Sequence, residues 1–300
     1  MDIPENTRKE ILNSEQNVAV VTDSVAQVPA EVAKELDISV IPFTVSIDQQ
    51  AYLDGIDLAP QELYRRMRIE NILPTTTAAS LGQYQQAFES RLSAGAQAVL
   101  YVGLSSKLSS GYNTACYAAK MVREEFPDRI IEVMDSQLVT ISQGFVAMAA
   151  ARAAARGRSL FEVMQVAREA SQRAGLVATL ETLEYLARGG RIGKAASMLG
   201  NLIKIKPILS LKDGEVVPVS RARGESHALQ AIVDYVMRQV DDYQGLHLAI
   251  MEADAQEQAA RLEELALQQL QPTKIFHTEF TPVLGVHTGP GLVGLGYYYE

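Results

Sequence analysis

A β-branched apolar run leads directly into a polar turn in the stretch Val18-Ala19-Val20-Val21-Thr22-Asp23-Ser24. Four apolar residues in a row, without polar alternation, are typical of a strand that is buried on both faces. The hydroxyl and carboxyl residues that follow are typical of a tight turn before a helix. We therefore predict a buried strand at residues 18–21 and a helix at residues 30–36.

Strands and helices continue to alternate as far as residue 156. Apolar runs predict further strands at residues 39–47, 98–102 and 130–134. Helices are predicted at residues 60–69, 80–94, 110–125 and in an alanine-rich segment that ends at residue 156, with a loop at residues 74–77. Pro60 is typical of a first helical turn, and Ser80 and Gln83 have capping-box spacing. This order predicts an α/β fold with a mainly parallel sheet and helices on both faces.

The pattern changes at Gly157-Arg158-Ser159, where Ser159 is placed to cap a helix at residues 159–172. Later strands are predicted at residues 176–180, 208–211, 215–220, 246–252, 274–279 and 291–298. Later helices are predicted at residues 195–203, 226–240 and 255–270. We therefore predict an N-terminal α/β domain at residues 1–158 and a C-terminal mixed α/β domain at residues 159–300.

Composition favours a soluble cytoplasmic protein. Residues 1–16 are polar and lack the apolar centre of a secretory signal. The alanine-rich segment at residues 145–155 is too short to cross a bilayer and is interrupted by Arg152, so we expect no stable membrane insertion. A single cysteine, Cys116, excludes an internal disulfide framework.

The charge is distributed unevenly along the chain. A net charge of −9 argues against nucleic-acid binding, which depends on basic residues that neutralise phosphates. Residues 188–223 nevertheless carry eight basic and two acidic side chains. This basic segment is either an ordinary solvated face or a docking surface for an acidic partner or a phosphorylated ligand.

The common catalytic signatures are missing from the sequence. There is no G-x-S-x-G, H-E-x-x-H or C-x-x-C motif, and the four histidines lack paired metal-ligand spacing. Residues 189–194 (Gly-Gly-Arg-Ile-Gly-Lys) resemble a phosphate loop, but Ala195 stands where a Walker A motif requires Ser or Thr. We therefore expect no metal, no cofactor and no kinase activity in this chain itself.

Hydroxyl residues are concentrated in turns that follow predicted strands. They are Thr22 and Ser24, residues 75–77, residues 105–110, and Ser136. Ligands of α/β proteins bind at such turns, and hydroxyls together with helix N-terminal amides can hold a carboxylate. Each hydroxyl taken singly is as well explained by helix capping. Their convergence on one ligand is a hypothesis at this point.

Several motifs resemble those of the DegV family of bacterial lipid-binding proteins. The opening residues 20–24 resemble its first-strand signature, residues 74–80 (Pro-Thr-Thr-Thr-Ala-Ala-Ser) its P-x-T-S-Q-P-S loop, and residues 106–113 its S-x-L-S-G-T-Y turn. The longest match is residues 183–193 (Leu-Glu-Tyr-Leu-Ala-Arg-Gly-Gly-Arg-Ile-Gly), which continues to residues 205–209. Residues 287–291 (His-Thr-Gly-Pro-Gly) complete a resemblance that spans residues 18–298.

This resemblance implies a long-chain fatty acid in an apolar tunnel between the two domains. A Thr, a Ser and a His hold its carboxylate in the family, and the matching residues are Thr76, Ser109 and His287. Further candidates in the same loops are Thr77, Ser106 and Ser110. Ala78-Ala79 and Ser110-Gly111 depart from the family motifs, so the choice between Ser109 and Ser106 stays open.

The resemblance also implies a partner, an ATP-dependent fatty-acid kinase subunit that phosphorylates the bound carboxylate. Five basic residues would then serve partner docking or phosphate accommodation, namely Arg188, Arg191, Lys194, Arg221 and Arg223. Two other hypotheses remain open. In the first, the protein is a stand-alone enzyme on a small phosphorylated or carboxylated metabolite; in the second, it is a lipid-responsive regulator.

Overall fold

The computed structural model describes residues 17–70, 72–200, 205–240 and 245–300. In chain order its elements are β1 (Val18–Asp23), α1 (Ala30–Glu35), β2 (Ser39–Ile41), β3 (Thr44–Ile47), β4 (Gln50–Leu53), α2 (Pro60–Ile69), β5 (Thr75–Thr77), α3 (Leu81–Ser93), β6 (Ala98–Gly103), α4 (Gly111–Glu125), β7 (Ile130–Asp135), α5 (Ile141–Ala155), α6 (Leu160–Arg173), β8 (Ala174–Thr179), α7 (Glu184–Arg188), β9 (Ile205–Lys212), β10 (Glu215–Arg223), α8 (Glu225–Gln239), β11 (Leu246–Ala253), α9 (Gln256–Leu270), β12 (Lys274–Glu279), α10 (Pro282–Thr288) and β13 (Leu292–Tyr299). Short 3-10 helices occupy Ser24–Ala26 and Gly193–Met198.

The N-terminal half is built on a parallel sheet with the strand order β2-β1-β6-β7. Every residue of β1 and of β6 is buried, because helices cover both faces of the sheet. The predicted capping box is present at Ser80–Gln83, and the predicted N-cap Ser159 also forms a capping box, with Glu162. The prediction of an α/β fold with an N-terminal parallel sheet is confirmed.

The C-terminal half is built on a mixed sheet with the order β10-β9-β8-β13-β11-β12. Its neighbours run antiparallel except β11 and β12, which are parallel. Helices α8 and α9 pack on one face and helices α5 and α6 on the other. The sheet is therefore the middle layer of three, as the prediction of a mixed α/β half requires.

Helix α5 connects the two halves. Twelve of its fifteen residues are buried, as expected for a helix that is apolar on all sides. It contacts β1 and β6 of the first sheet and β8 and β13 of the second, so one continuous apolar core extends through both halves. The predicted division into domains at residue 158 stays a prediction.

The predicted strand at residues 39–47 is wrong, because the chain changes sheets at Pro42. Proline has no amide hydrogen for a sheet ladder and restricts the backbone. Ser39–Ile41 pairs with β1, whereas Thr44–Ile47 belongs to a separate antiparallel sheet of order β4-β3-β5. The predicted loop at residues 74–77 is also partly wrong, since Thr75–Thr77 is the strand β5.

Two further differences lie close to the cavity described below. The predicted helix at residues 195–203 is instead a 3-10 helix at Gly193–Met198, with extended backbone at Leu199, and residues 201–203 lie outside the described residues. Helices α7 and α10 are absent from the prediction. Both are short, and α10 has Gly285 at its centre and Gly289 directly after it, which weakens a periodic signal.

Candidate functional site

An apolar cavity of about 250 Å³ is lined by residues from both halves of the chain. Eighteen of its 27 lining residues are apolar, among them Leu104, Leu176, Leu209, Met251 and Leu284. The polar lining residues are Thr76, Thr77, Ser109, Ser110, Thr140, Arg191, Ser210, His287 and Thr288. An apolar chamber with a few polar side chains suits an apolar ligand that carries one polar group.

The pleat of the six-stranded sheet separates the cavity from the core beneath it. In β8, Leu176 and Ala178 line the cavity, while Val177 packs into the core formed with helices α8 and α9. In β13, Leu292 lines the cavity and Val293 faces that core. Successive side chains of a strand point to opposite faces, so one sheet supplies both surfaces.

Thr76 and His287 meet at the cavity wall although they are 211 positions apart. The Thr76 Oγ1 atom lies 2.7 Å from His287 Nε2. Thr76 is held by the pairing of β5 with β3, opposite Val45. The ring supplies the donor if Nε2 carries the proton, and the Thr76 hydroxyl hydrogen is then free to bind a ligand.

Helix α10 carries His287, and residues from the N-terminal half fix its start. Asp54 Oδ1 accepts a 2.9 Å hydrogen bond from the Val283 N–H, and Tyr64 donates a 3.0 Å bond to the Phe280 carbonyl. Gly285 lets the Tyr64 ring approach, since a Cβ there would lie 2.7 Å from it. Burial raises the pKa of Asp54.

The His287 ring is held by close packing more than by hydrogen bonds. Its Nδ1 atom is buried and has no hydrogen-bond partner among the described residues. A Cβ on Gly189 would lie 2.4 Å from that atom, so only glycine leaves room for the ring here. Burial first, and then the charge of Arg191, lower the pKa of His287 to about 4. The ring is therefore neutral near pH 7.

Ser109 and Ser110 line the cavity, whereas Ser106 does not. Ser109 Oγ accepts a 3.1 Å hydrogen bond from the Gly111 N–H at the start of α4, which leaves its hydroxyl hydrogen available. The Ser106 N–H donates instead to Asp135 at 3.3 Å. Of the two serines that the motif left open, Ser109 is the one that faces the cavity.

The remaining hydroxyls of the convergence hypothesis do not line the cavity. Thr22 donates to the Val102 carbonyl at 2.7 Å, and Ser136 donates to the Gly103 carbonyl at 2.7 Å. Ser24 accepts from the Phe43 N–H at 3.2 Å, and Ser105 donates to the Gly214 carbonyl at 2.8 Å. These four hold strand ends and the β9–β10 turn. Of the hydroxyls in the predicted turns, only those of residues 76–77 and 109–110 line the cavity.

The five basic residues predicted as a group have different surroundings. Arg191 lines the cavity, and its guanidinium donates to the Leu108 carbonyl at 3.0 Å and to the Gly189 carbonyl. Lys194 lies 3.6 Å from Glu215, and Arg188 lies 3.9 Å from Glu184. Arg221 and Arg223 are exposed on the edge strand β10. Sequence reasoning missed that Arg191 belongs to the cavity wall, because the turn at Gly189-Gly190 brings it back there.

Within the described residues, no group of three or more His, Cys, Asp or Glu side chains is arranged to hold a metal ion. In the same part of the chain, no helix combines the length and the apolarity needed to span a membrane.

A family model described as "Uncharacterised protein, DegV family" matches residues 17–300. The chain belongs to the DegV family. A DegV domain-containing protein of Caldanaerobacter subterraneus is 32% identical over 93% of this chain and 98% of that protein. DegV of Bacillus subtilis is 29% identical over 95% of this chain and 100% of that protein.

Solved structures of similar proteins share the fold over nearly the whole chain. A fatty-acid-binding DegV family protein from Thermus thermophilus superposes with a TM-score of 0.87 at 29% identity, over 94% of this chain and 99% of that chain. The fatty-acid-binding DegV of Bacillus subtilis has a TM-score of 0.84 at 28% identity, over 95% and 100%. A stearic-acid-binding protein from Eubacterium ventriosum has a TM-score of 0.85 at 26% identity, over 94% and 98%.

Proposed function

We propose that this protein binds a long-chain fatty acid, with the hydrocarbon chain in the apolar cavity and the carboxylate at Thr76, Ser109 and His287. The observation that carries the proposal is one chamber, mainly apolar, whose few polar side chains include all three of these residues. Solved relatives that bind fatty acids support it. Burial of each CH₂ group of the ligand contributes about 0.8 kcal/mol, so the hydrocarbon chain of the fatty acid supplies most of the binding free energy.

The side chains proposed to hold the carboxylate, Thr76, Ser109 and His287, are neutral; together they are called the carboxylate site. The Thr76 and Ser109 hydroxyls can each donate one hydrogen bond to the carboxylate, while the neutral His287 ring donates its single N–H to the Thr76 oxygen and so orients that hydroxyl. Arg191 adds positive charge at the same cavity, while its hydrogen bonds to the Leu108 and Gly189 carbonyls restrain it. A carboxylate held in this way keeps one oxygen free to attack a phosphoryl group, whereas a bidentate arginine would occupy both oxygens.

We further propose that the bound carboxylate is presented to a separate ATP-dependent kinase subunit, which forms the acyl phosphate. The lack of an ATP-binding loop in this sequence supports a division of labour. Arg188, Lys194, Arg221 and Arg223 would contact the partner. The ion pairs of Arg188 and Lys194 are exposed, and such pairs contribute little stability, so a partner can replace them.

Native mass spectrometry of the gently purified protein tests fatty-acid binding. We expect a co-purified mass of a long-chain fatty acid, and its reproducible absence would refute the proposal. Thr76→Val, Ser109→Ala and His287→Ala should each reduce the retained lipid. Ser106→Ala is the matched control, because Ser106 lies in the same turn outside the cavity lining. Equal retention by Ser109→Ala and Ser106→Ala would refute the site assignment.

The kinase step is tested separately with lipid-loaded protein, ATP and a fatty-acid kinase subunit. Acyl phosphate should form only when all three are present. Formation without the added subunit would favour a stand-alone enzyme. Retained lipid without any acyl phosphate would favour a lipid-responsive regulator.

A further inference from the structure

A second cleft, of about 200 Å³, lies beside the C-terminal end of helix α5 and shares no lining residue with the apolar cavity. Its lining includes four arginines, Arg152, Arg156, Arg158 and Arg173, together with Tyr298 and Glu300. Along β13, Tyr298 is six residues from the cavity residue Leu292, which is about 20 Å at strand spacing. The cleft is therefore separate from the proposed carboxylate site.

None of the four arginines forms an ion pair with a carboxylate of the described residues, although the protein has a net charge of −9. The Glu300 carboxylate lies 3.6 Å from His247 Nε2. Burial, the Glu300 carboxylate and Glu169 raise the pKa of Tyr298, whereas Arg173 and Arg152 lower it. The positive charges of both arginines thus act at the Tyr298 hydroxyl.

Helix dipoles explain only part of this arrangement. Arg152 and Arg173 lie in the last turns of α5 and α6, where a cation is favoured. Arg158 stands immediately before Ser159, the N-cap of α6, where the same dipole disfavours a cation. Glu162 in the first turn offsets part of that cost. The position of Arg158 calls for another reason.

We propose that this cleft binds a phosphate-bearing anion. Arginine presents a planar fork of N–H donors that matches phosphate oxygens, and the cleft is lined by four arginines and no lysine. The Tyr298 hydroxyl adds a neutral donor at the same place. The phosphate belongs either to a soluble molecule or to a lipid headgroup.

Isothermal titration of the full chain with pyrophosphate at low salt tests the soluble source. Flotation with phosphatidylglycerol vesicles, against phosphatidylcholine vesicles, tests the lipid source. The Arg156→Gln/Arg158→Gln double variant and Arg173→Gln should each weaken binding about tenfold or more, because each removes charged hydrogen bonds. Arg168→Gln is the matched control, since Arg168 is exposed on α6 and lies outside the cleft.

Pyrophosphate binding that is weakened in the cleft variants and kept in the control supports a soluble ligand. The same pattern with phosphatidylglycerol vesicles alone supports a headgroup. Binding of neither probe, or equal losses in the cleft variants and Arg168→Gln, overturns the proposal. Thermal melting of each variant verifies folding, and the exposed single change Arg158→Gln replaces any variant that fails to fold.

Discussion

Replacing Gly189 with alanine changes the position of the His287 ring without removing a polar group from the site. Gly189 has φ −72° and ψ −9°, so alanine fits the backbone. The added methyl would lie 2.4 Å from His287 Nδ1 and 3.1 Å from Cε1. Carbon contacts need about 3.5 Å, so the ring must move by about 1 Å. That movement breaks the 2.7 Å contact with Thr76.

Two effects are expected: overpacking lowers the stability of the protein, and loss of the Thr76–His287 contact lowers its affinity for the fatty acid. Overpacking in a tight site costs about 1–3 kcal/mol of unfolding free energy, measurable by urea denaturation. A lost hydrogen bond to a carboxylate costs about 1.5–3 kcal/mol, so fatty-acid affinity should fall about tenfold or more. Displacement of a fluorescent fatty acid measures that affinity.

Gly82→Ala is the control for the methyl group itself, because nothing lies within 4 Å of the added Cβ. A double-mutant cycle isolates the ring contact. In a His287→Ala background the added methyl has room, so Gly189→Ala should lower the free energy of unfolding much less than it does in the wild type. Additive costs in the cycle, or wild-type stability and affinity in Gly189→Ala, would refute the reasoning.

Two further predictions concern pH. Burial and then Arg191 lower the His287 pKa to about 4, below the unfolded value of about 6.5, so its contribution to stability is lost as pH falls from about 6.5 to 4. The urea-derived stability of the wild type should fall by about 2 kcal/mol more than that of His287→Gln between pH 7 and pH 4.5; parallel pH profiles would contradict this. Burial raises the Asp23 pKa to about 6 despite hydrogen bonds from Tyr101 and Gln143, so the contribution of Asp23 to stability should fall by about 2 kcal/mol as pH rises from about 4 to 6. Over that range the stability of Asp23→Asn should therefore rise by about 2 kcal/mol relative to the wild type, and a constant difference between the two proteins would count against a buried carboxyl with a raised pKa.

Elements with strong local signals could be predicted from the sequence. The helix Pro60–Ile69 and the strand Lys274–Glu279 have the predicted bounds. The capping box at Ser80 and the N-cap at Ser159 are formed as predicted, because a cap depends on residues three positions apart. The split at Pro42 could have been foreseen from the proline, but the change of sheet depends on partners outside the segment.

The site could be predicted only in part. The motifs indicated Thr76, Ser109 and His287, and all three line one cavity. Ser106 and Ser109 look alike in sequence, and the conformation of their turn decides which faces the cavity. Arg191 belongs to the cavity wall because the chain reverses after α7.

The sequence by itself determined the alternation of strands and helices along the chain and the resemblance to the family, since these follow from periodicity, capping and motif spacing. Only the tertiary structure decided which polar groups remain available to a ligand. Thr22 and Ser136 have the same hydroxyl as Ser109, yet their hydrogen bonds go to strand-end carbonyls. Hydrogen bonds and burial depend on neighbours that are tens to hundreds of residues away, and local sequence carries no record of them.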